Sequence, residues 1–111
     1  MSTAKEQLEL FSVKDGHAYH ILRFDELLYV EGLKDYVILH TIKQKFVIKR
    51  TLKDLIARLP KGFMRVHQSY IVNLLHIKKM EDGVVYLEGH QVPWGKNYRA
   101  CALRRIQQIA I

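Results

Sequence analysis

Short runs in which apolar and polar residues alternate fill most of the chain, and this period of two predicts β-strands. Two-residue turn signals, Asp15-Gly16 and Asp82-Gly83, separate neighbouring runs and are typical of hairpins. Pro93 falls in the last run, so we expect that strand at a sheet edge or end, because proline cannot donate to a ladder. The predicted strands cover residues 8–13, 17–23, 28–31, 36–41, 46–48, 63–67, 70–72, 75–80, 84–88 and 91–94.

Two stretches change to helical spacing and predict one central and one terminal helix. Thr51 is a good N-cap for the first helix, and Pro60 ends it about ten residues later. Asn97 is the predicted N-cap of the second helix. The apolar faces are formed by Leu52, Leu55, Ile56 and Leu59 in the first helix and by Tyr98, Ala102, Ile106 and Ile109 in the second.

The length of 111 residues and a hydrophobic fraction of 49% indicate one folded domain with its own core. We expect residues 1–7 to be a disordered leader or a linker remnant and residues 8–111 to form the domain. No apolar run reaches the length of a membrane span, so no membrane role is predicted. The single cysteine, Cys101, excludes an internal disulfide, fits a cytoplasmic protein, and is predicted to pack as a small residue in the last helix.

The net charge of +7 is distributed unevenly along the chain. Residues 1–33 carry three basic and six acidic groups, whereas the remaining residues carry 15 basic and five acidic groups. This polarity favours a polyanionic partner, although a solvated surface with extra lysines explains the charge equally well. The two basic stretches consist of Lys34, Lys43, Lys45, Lys49, Arg50 and Lys53, and of Lys96, Arg99, Arg104 and Arg105.

A catalytic or metal site finds no support in the residue pattern. His67 and Ser69 are close in sequence, but no carboxylate is placed to orient the imidazole and no glycine-rich oxyanion loop follows. His17 and His20 are spaced for a metal pair only on a helix, and their segment is a predicted strand. We therefore expect no enzyme activity, no catalytic residues, no metal and no cofactor.

The segment 63–73 is the most informative part of the chain, since a polar turn at residues 67–69 interrupts two apolar strands. We interpret His67 as a histidine that hydrogen-bonds backbone across the turn, in preference to a DNA contact. We interpret Asn73 as an Asx-type turn residue. Gln68 has no structural requirement there, and a carboxamide can read adenine N6 and N7 in the major groove.

Several ordered motifs give the chain a resemblance to LytTR DNA-binding domains, from about Leu8 to the last helix. They are Asp25-Glu26-Leu27-Leu28-Tyr29-Val30-Glu31, Lys34-Asp35-Tyr36-Val37, Thr51-Leu52-Lys53-Asp54-Leu55, Leu59-Pro60 and Phe63 to Asn73. The closing segment 92–98 matches less well, with Gly95 where the family usually carries serine. The resemblance implies a mainly β fold: about ten short strands in small antiparallel sheets, elongated, with one short central helix and a C-terminal helix.

The same resemblance implies sequence-specific binding of double-stranded DNA, as in bacterial response regulators of the LytR/AgrA type. Loops would enter successive major grooves, often on paired direct repeats, and an upstream receiver domain or a dimer partner is possible. By motif position, the base or groove residues are Lys34, Tyr36, Gln68, Lys96 and Asn97. The expected phosphate contacts are Lys49, Arg50, Arg65 and Arg99. One DNA-binding surface requires that Lys34, Gln68 and Lys96 face the same side.

Two other functions remain open from the residues alone. A β-rich domain can recruit a partner chain at an exposed strand edge. Single-stranded nucleic acid could stack on Tyr36 and Trp94 between basic neighbours. For Trp94, packing against the terminal helix is the preferred interpretation.

Overall fold

The computed structural model describes residues 9–111, and the predicted leader 1–7 lies outside that range. Ten strands and two helices are present in this part of the chain, as the sequence predicts. The strands are β1 (Leu10–Asp15), β2 (Ala18–Arg23), β3 (Leu27–Leu33), β4 (Tyr36–Thr41), β5 (Lys45–Ile48), β6 (Phe63–His67), β7 (Tyr70–Asn73), β8 (Ile77–Glu81), β9 (Val84–Leu87) and β10 (His90–Pro93). The helices are α1 (Leu52–Ile56) and α2 (Arg99–Gln107).

The strands form three small antiparallel sheets, which confirms the predicted architecture. The central sheet has the order β5-β4-β3-β7-β6, β1 pairs with β2, and the third sheet has the order β10-β9-β8. Pro93 ends β10, an edge strand, where its missing N–H breaks no ladder. The domain measures 42 × 39 Å in two directions and 25 Å in the third.

The central sheet contributes side chains to two separate cores, because neighbouring residues of a strand point to opposite faces. On β3, Val30 belongs to one core and Tyr29 to the other; on β7, Ile71 and Val72 divide in the same way. The first core is closed by β1, β2 and α1, and the second by β9, β10 and α2. Every strand of the site described below is therefore anchored in a packed interior.

Both helices begin or end differently from the sequence prediction. Thr51 caps α1 as expected, its hydroxyl accepting the Asp54 N–H at 3.1 Å, but α1 has only five residues. The N–H groups of Arg58 and Leu59 both donate to the Leu55 carbonyl, which tightens the chain before Pro60. Asn97 is not the N-cap of α2: it lies in a 3₁₀ turn, Lys96–Tyr98, and Tyr98 is the N-cap.

Two further predictions of local structure are wrong in detail. Residues Leu74–His76 form a 3₁₀ turn, so β8 begins at Ile77 and not at 75. Cys101 lies in α2 as predicted but is exposed, because the neighbouring Ala102 is the residue that faces the core. None of the helices in residues 9–111 is long and apolar enough to cross a membrane.

Candidate nucleic-acid interface

A tight turn at Gln68-Ser69 connects β6 to β7, and we call residues 67–70 the knuckle. The pairing shifts register between Arg65 and His67, so an irregularity of the β-bulge type precedes the turn. The Ser69 N–H donates to His67 Nδ1 at 3.0 Å, which confirms the predicted histidine that hydrogen-bonds backbone across the turn. Gln68 is left exposed at the tip.

Arg65 lies half-buried beneath the knuckle and contacts it through its guanidinium. Its Nε donates to the His67 carbonyl at 3.2 Å, and its Nη2 donates to the Gln68 carbonyl at 2.5 Å. The guanidinium carbon also lies 5.7 Å from the centroid of the Tyr98 ring. Arg65 therefore touches both the knuckle and the loop that precedes α2.

The β3–β4 turn, Lys34-Asp35, lies beside the knuckle. The Gly32 N–H donates to the Ser69 carbonyl at 2.8 Å, which joins the two loops directly. Lys34 has a φ of 62°, a left-handed conformation that is uncommon for a residue with a Cβ. An open concavity of about 470 Å³ lies between the loops and is lined by Gly32, Leu33, Lys34, Thr51, Leu52, Lys53, Arg65, Gln68 and Ser69.

The loop before α2 lies on the other side of the knuckle. The Gly95 N–H donates to the Val66 carbonyl at 2.7 Å. A Cβ on Gly95 would lie 3.4 Å from the rings of His67 and Tyr98, so the loop approaches the knuckle closely. Lys96 and Asn97 follow at once and are exposed. The three segments predicted to bind DNA are thus hydrogen-bonded neighbours, with the knuckle in the middle.

Two of the predicted phosphate-binding residues lie at this edge, but the basic stretch that contains them does not all lie there. Lys49 and Arg50 directly follow Ile48, which pairs with Val37, so they lie next to the β3–β4 turn. The first basic stretch is split by this pairing, because Lys45 pairs with His40 at the far end of the β4–β5 hairpin. Lys45 and Lys49 are therefore near each other in the sequence but lie at opposite ends of β5.

The side chain of Arg99 lies against the Trp94 ring and the turn between β8 and β9. Its guanidinium lies 5.8 Å from the centroid of the Trp94 ring, and a Cβ on Gly83 would lie 2.9 Å from Nη2. Tyr36, by contrast, is 46% exposed next to the Lys34 turn. Both residues are exposed, but only Tyr36 lies next to the β3–β4 turn.

A polar cluster on the central sheet adjoins the knuckle through Tyr70, and the sequence analysis did not predict it. His40 Nε2 lies 3.2 Å from Glu31 Oε1, and the Tyr70 hydroxyl donates to Glu31 Oε2 at 3.5 Å. Tyr29 stacks on His40 with ring centroids 4.1 Å apart, and Tyr70 lies 5.6 Å from the His67 ring. The cluster becomes visible only once register pairs Tyr29 with His40 and Glu31 with Tyr70.

Burial shifts the acid–base equilibria of this cluster. Desolvation lowers the pKa of His40 below its ordinary value, although the Glu31 carboxylate opposes that effect. Desolvation, with the negative charge of Glu31 added, raises the pKa of Tyr29 and Tyr70. Because these shifts disfavour the charged forms of the rings, the cluster supports the sheet with neutral rings at physiological pH.

Asn73 is buried at the far end of β7 from the knuckle and acts as a clamp. Its Oδ1 accepts the Leu75 N–H at 3.1 Å, which confirms the predicted Asx-type turn. Its Nδ2 donates to the carbonyls of Phe24 at 3.2 Å and Leu27 at 2.9 Å. The motif residue at position 73 thus fastens β7 to the start of β3 and has no place at the loop surface.

Comparison with known proteins agrees with this architecture. A β-rich domain of this topology has the fold of a Bacillus cereus structure described as a LytTr DNA-binding domain: the TM-score is 0.76 at 23% identity, over 89% of this chain and 96% of that one. The family model for the LytTr DNA-binding domain matches residues 17–106. The chain belongs to the LytTr DNA-binding domain family.

Two curated relatives are similar over most of the chain. Sensory transduction protein LytT of Bacillus anthracis is 29% identical over 96 residues, covering 80% of this chain and 39% of that protein. The LytT protein of Bacillus cereus (strain ATCC 14579) shows the same identity and coverage. This chain therefore spans about two fifths of the length of these relatives.

Proposed function

We propose that the domain binds double-stranded DNA in a sequence-specific way through the three adjacent loops. The observation that carries this proposal is the pair of backbone hydrogen bonds, Gly32 to Ser69 and Gly95 to Val66, which holds three polar loops side by side. A surface built from loops on a rigid sheet suits recognition, because the tips vary while the strands fix their positions. Membership of a DNA-binding family supports the same conclusion.

Base recognition falls to the exposed side chains at the loop tips. The Gln68 carboxamide can donate to and accept from adenine in the major groove, and Lys34 and Lys96 can donate to guanine. Tyr36 and Asn97 extend the surface on either side. In this proposal the loops enter successive major grooves, with the knuckle between two lysine-bearing neighbours.

Phosphate contacts provide the sequence-independent part of the affinity. Lys49 and Arg50 lie beside the β3–β4 turn and are placed to meet the backbone of DNA held there. Arg99 contributes at the opposite border. If about five phosphates are neutralised, log K should fall against log salt with a slope of about −4 to −5.

The alternative functions have weaker support. Trp94 is only 8% exposed and packs in the same core as Ala102, so its ring is not available to stack on an unpaired base. This observation disfavours single-stranded nucleic acid as the ligand. Recruitment of a partner chain at a sheet edge would leave the polar loop tips unexplained.

The relatives support a proposal for the biological setting. Sensory transduction proteins that are longer than this chain suggest that it serves as the output module of a bacterial transcription regulator in the cytoplasm. A receiver domain upstream and paired direct repeats in the DNA belong to the same proposal.

The test is selection of bound duplexes from a random pool, followed by titration of the selected and a scrambled duplex. Gln68→Ala should lower the ratio of specific to nonspecific affinity by roughly tenfold or more, because it removes one base contact. Lys49→Ala serves as the matched control and should weaken both duplexes alike. Single-stranded competitors are included at two salt concentrations.

Each outcome has a definite meaning. Failure to enrich any duplex sequence would contradict sequence-specific recognition. An unchanged affinity ratio in Gln68→Ala would remove Gln68 from the base-reading set, and a sequence-dependent effect of Lys49→Ala would contradict its phosphate role. Preferential binding of the single strand would favour the stacking alternative.

A further inference from the structure

We infer that Arg65 is a positioning residue that fixes two DNA-reading loops relative to each other, and that it governs sequence discrimination without contacting a phosphate. This inference rests on the proposed function. It changes the role that sequence position alone assigns to Arg65, that of one more backbone cation.

The first support is the pattern of hydrogen bonds. Two nitrogens of one guanidinium donate to two successive carbonyls of the knuckle, those of His67 and Gln68. The planar fork of arginine presents these two N–H groups from two nitrogen atoms at a fixed spacing, whereas the three N–H donors of lysine all leave one nitrogen and cannot reproduce that spacing. The backbone of Gln68 is therefore held from below by Arg65 while its side chain projects from the tip.

The second support is the contact with the neighbouring loop. The Arg65 guanidinium lies over the Tyr98 ring, and Tyr98 belongs to the 3₁₀ turn that carries Lys96 and Asn97. Arginine stacks on aromatic rings more readily than lysine. One side chain thus joins the knuckle to the loop before α2, in addition to the backbone bond between Gly95 and Val66.

The third support is the contrast with Lys53, which lines the same concavity. Lys53 is exposed, whereas Arg65 is half-buried on β6 and its donors are directed at protein carbonyls. Two of its five N–H groups are engaged in this way, so a phosphate that approached the fork formed by Nε and Nη2 would have to displace the knuckle carbonyls. Lys53 can meet a phosphate at no such cost, so the two cations of the concavity have different roles.

The consequence for binding is preorganisation. When Arg65 holds the loops, their conformational entropy is lost during folding, so the loop tips are already ordered when DNA binds. Without the Arg65 guanidinium, the two loops become ordered only when DNA binds, and this lowers the affinity. Specific binding suffers from that cost, whereas nonspecific binding, which depends on charge, does not.

The experiment compares Arg65→Lys, Arg65→Gln and the control Lys53→Gln with the unmodified chain. Specific and nonspecific affinities are measured over a series of salt concentrations. Arg65→Lys keeps the charge and should lower the affinity ratio roughly five- to tenfold, with an unchanged salt slope. Lys53→Gln should weaken both duplexes and reduce the slope by about 1 unit.

Amide hydrogen exchange of the free proteins separates failure of this inference from failure of the proposed function. Arg65→Lys should speed exchange in both the 67–70 and the 95–98 segments, with the rest of the chain unchanged; Arg65→Gln should do the same wherever it folds. Unchanged exchange in either segment overturns the positioning role. The same holds if Arg65→Lys keeps a normal ratio of specific to nonspecific affinity while Arg65→Gln reduces the slope of log K against log salt. If the unmodified chain binds the selected and scrambled duplexes equally, the proposed function is refuted. The exchange rates would still decide whether Arg65 positions the two loops.

Discussion

Truncation of Asn73 should destabilise the fold without altering which DNA sequence is recognised. Asn73→Ala removes three hydrogen bonds, from Nδ2 to the carbonyls of Phe24 and Leu27 and from the Leu75 N–H to Oδ1. The residue is only 4% exposed, so water cannot replace these partners freely. At about 1 kcal/mol for each bond, the free energy of unfolding should fall by about 3 kcal/mol.

The loss is large for a domain of this size. The free energy of unfolding of small domains is about 5–15 kcal/mol, and 1 kcal/mol corresponds to about 4–8 °C in Tm, so a loss of about 3 kcal/mol should lower Tm by about 12–24 °C. Trp94, the one tryptophan of the chain, is buried and can report urea unfolding by its fluorescence. The midpoint should decrease while the denaturant dependence stays constant.

Two further variants test whether the loss of stability comes from the hydrogen bonds of Asn73. Asn73→Asp keeps the acceptor for Leu75 but faces two carbonyl oxygens with a carboxylate, so it should be at least as destabilising at neutral pH. Gln107→Ala removes an exposed amide from α2 and should change the free energy of unfolding by no more than about 0.5 kcal/mol. If Asn73→Ala costs less than about 1 kcal/mol, the clamp is not structural. A stable variant with altered sequence preference would instead identify Asn73 as a DNA contact.

Two other changes test the strained turn and the buried histidine. Lys34→Gly should stabilise the domain by about 0.5–1 kcal/mol in urea unfolding, because relief of left-handed strain exceeds the added chain entropy, yet it should weaken duplex binding; tighter binding would contradict a role of Lys34 at the DNA. Burial lowers the pKa of His40, so the buried neutral imidazole contributes to stability above the unfolded pKa of about 6.5. This contribution is lost as the pH falls through the folded pKa, because the unfolded chain then binds the proton more readily. His40→Gln, which can still donate to Glu31, should therefore lose less Tm than the unmodified chain between pH 7.5 and pH 5, and equal losses would show that His40 does not titrate as inferred.

Local signals in the sequence were sufficient wherever the physics is local. Alternation located the ten strands, Thr51 capped its helix, and His67 and Asn73 made the backbone hydrogen bonds expected of them. Each of these outcomes depends on residues a few positions apart, whose geometry is set by backbone dihedrals and short hydrogen-bonded rings. The motif order across the chain identified the family for the same reason, since motifs are themselves local.

Local signals were insufficient at helix ends. The helical spacing of residues 52–59 predicts about ten residues, but α1 ends at Ile56, where the backbone tightens before Pro60. In the same way Asn97 looks like an N-cap, but the turn that begins at Gly95 delays α2 to Arg99. Propensity is too weak to decide a helix end when other hydrogen bonds engage the backbone there, whether local, as at Leu55, or tertiary, as between Gly95 and Val66.

The sequence by itself determined the strand pattern, the family and the residue types of the loop tips. Only the tertiary structure decided which segments are neighbours: it placed Gly32 against Ser69 and Gly95 against Val66, and it brought Arg65 to the Tyr98 ring. The physical reason is strand register, because a shift of one residue moves every side chain to the opposite face. Register depends on pairing between segments far apart in the chain, and no single stretch of sequence contains it.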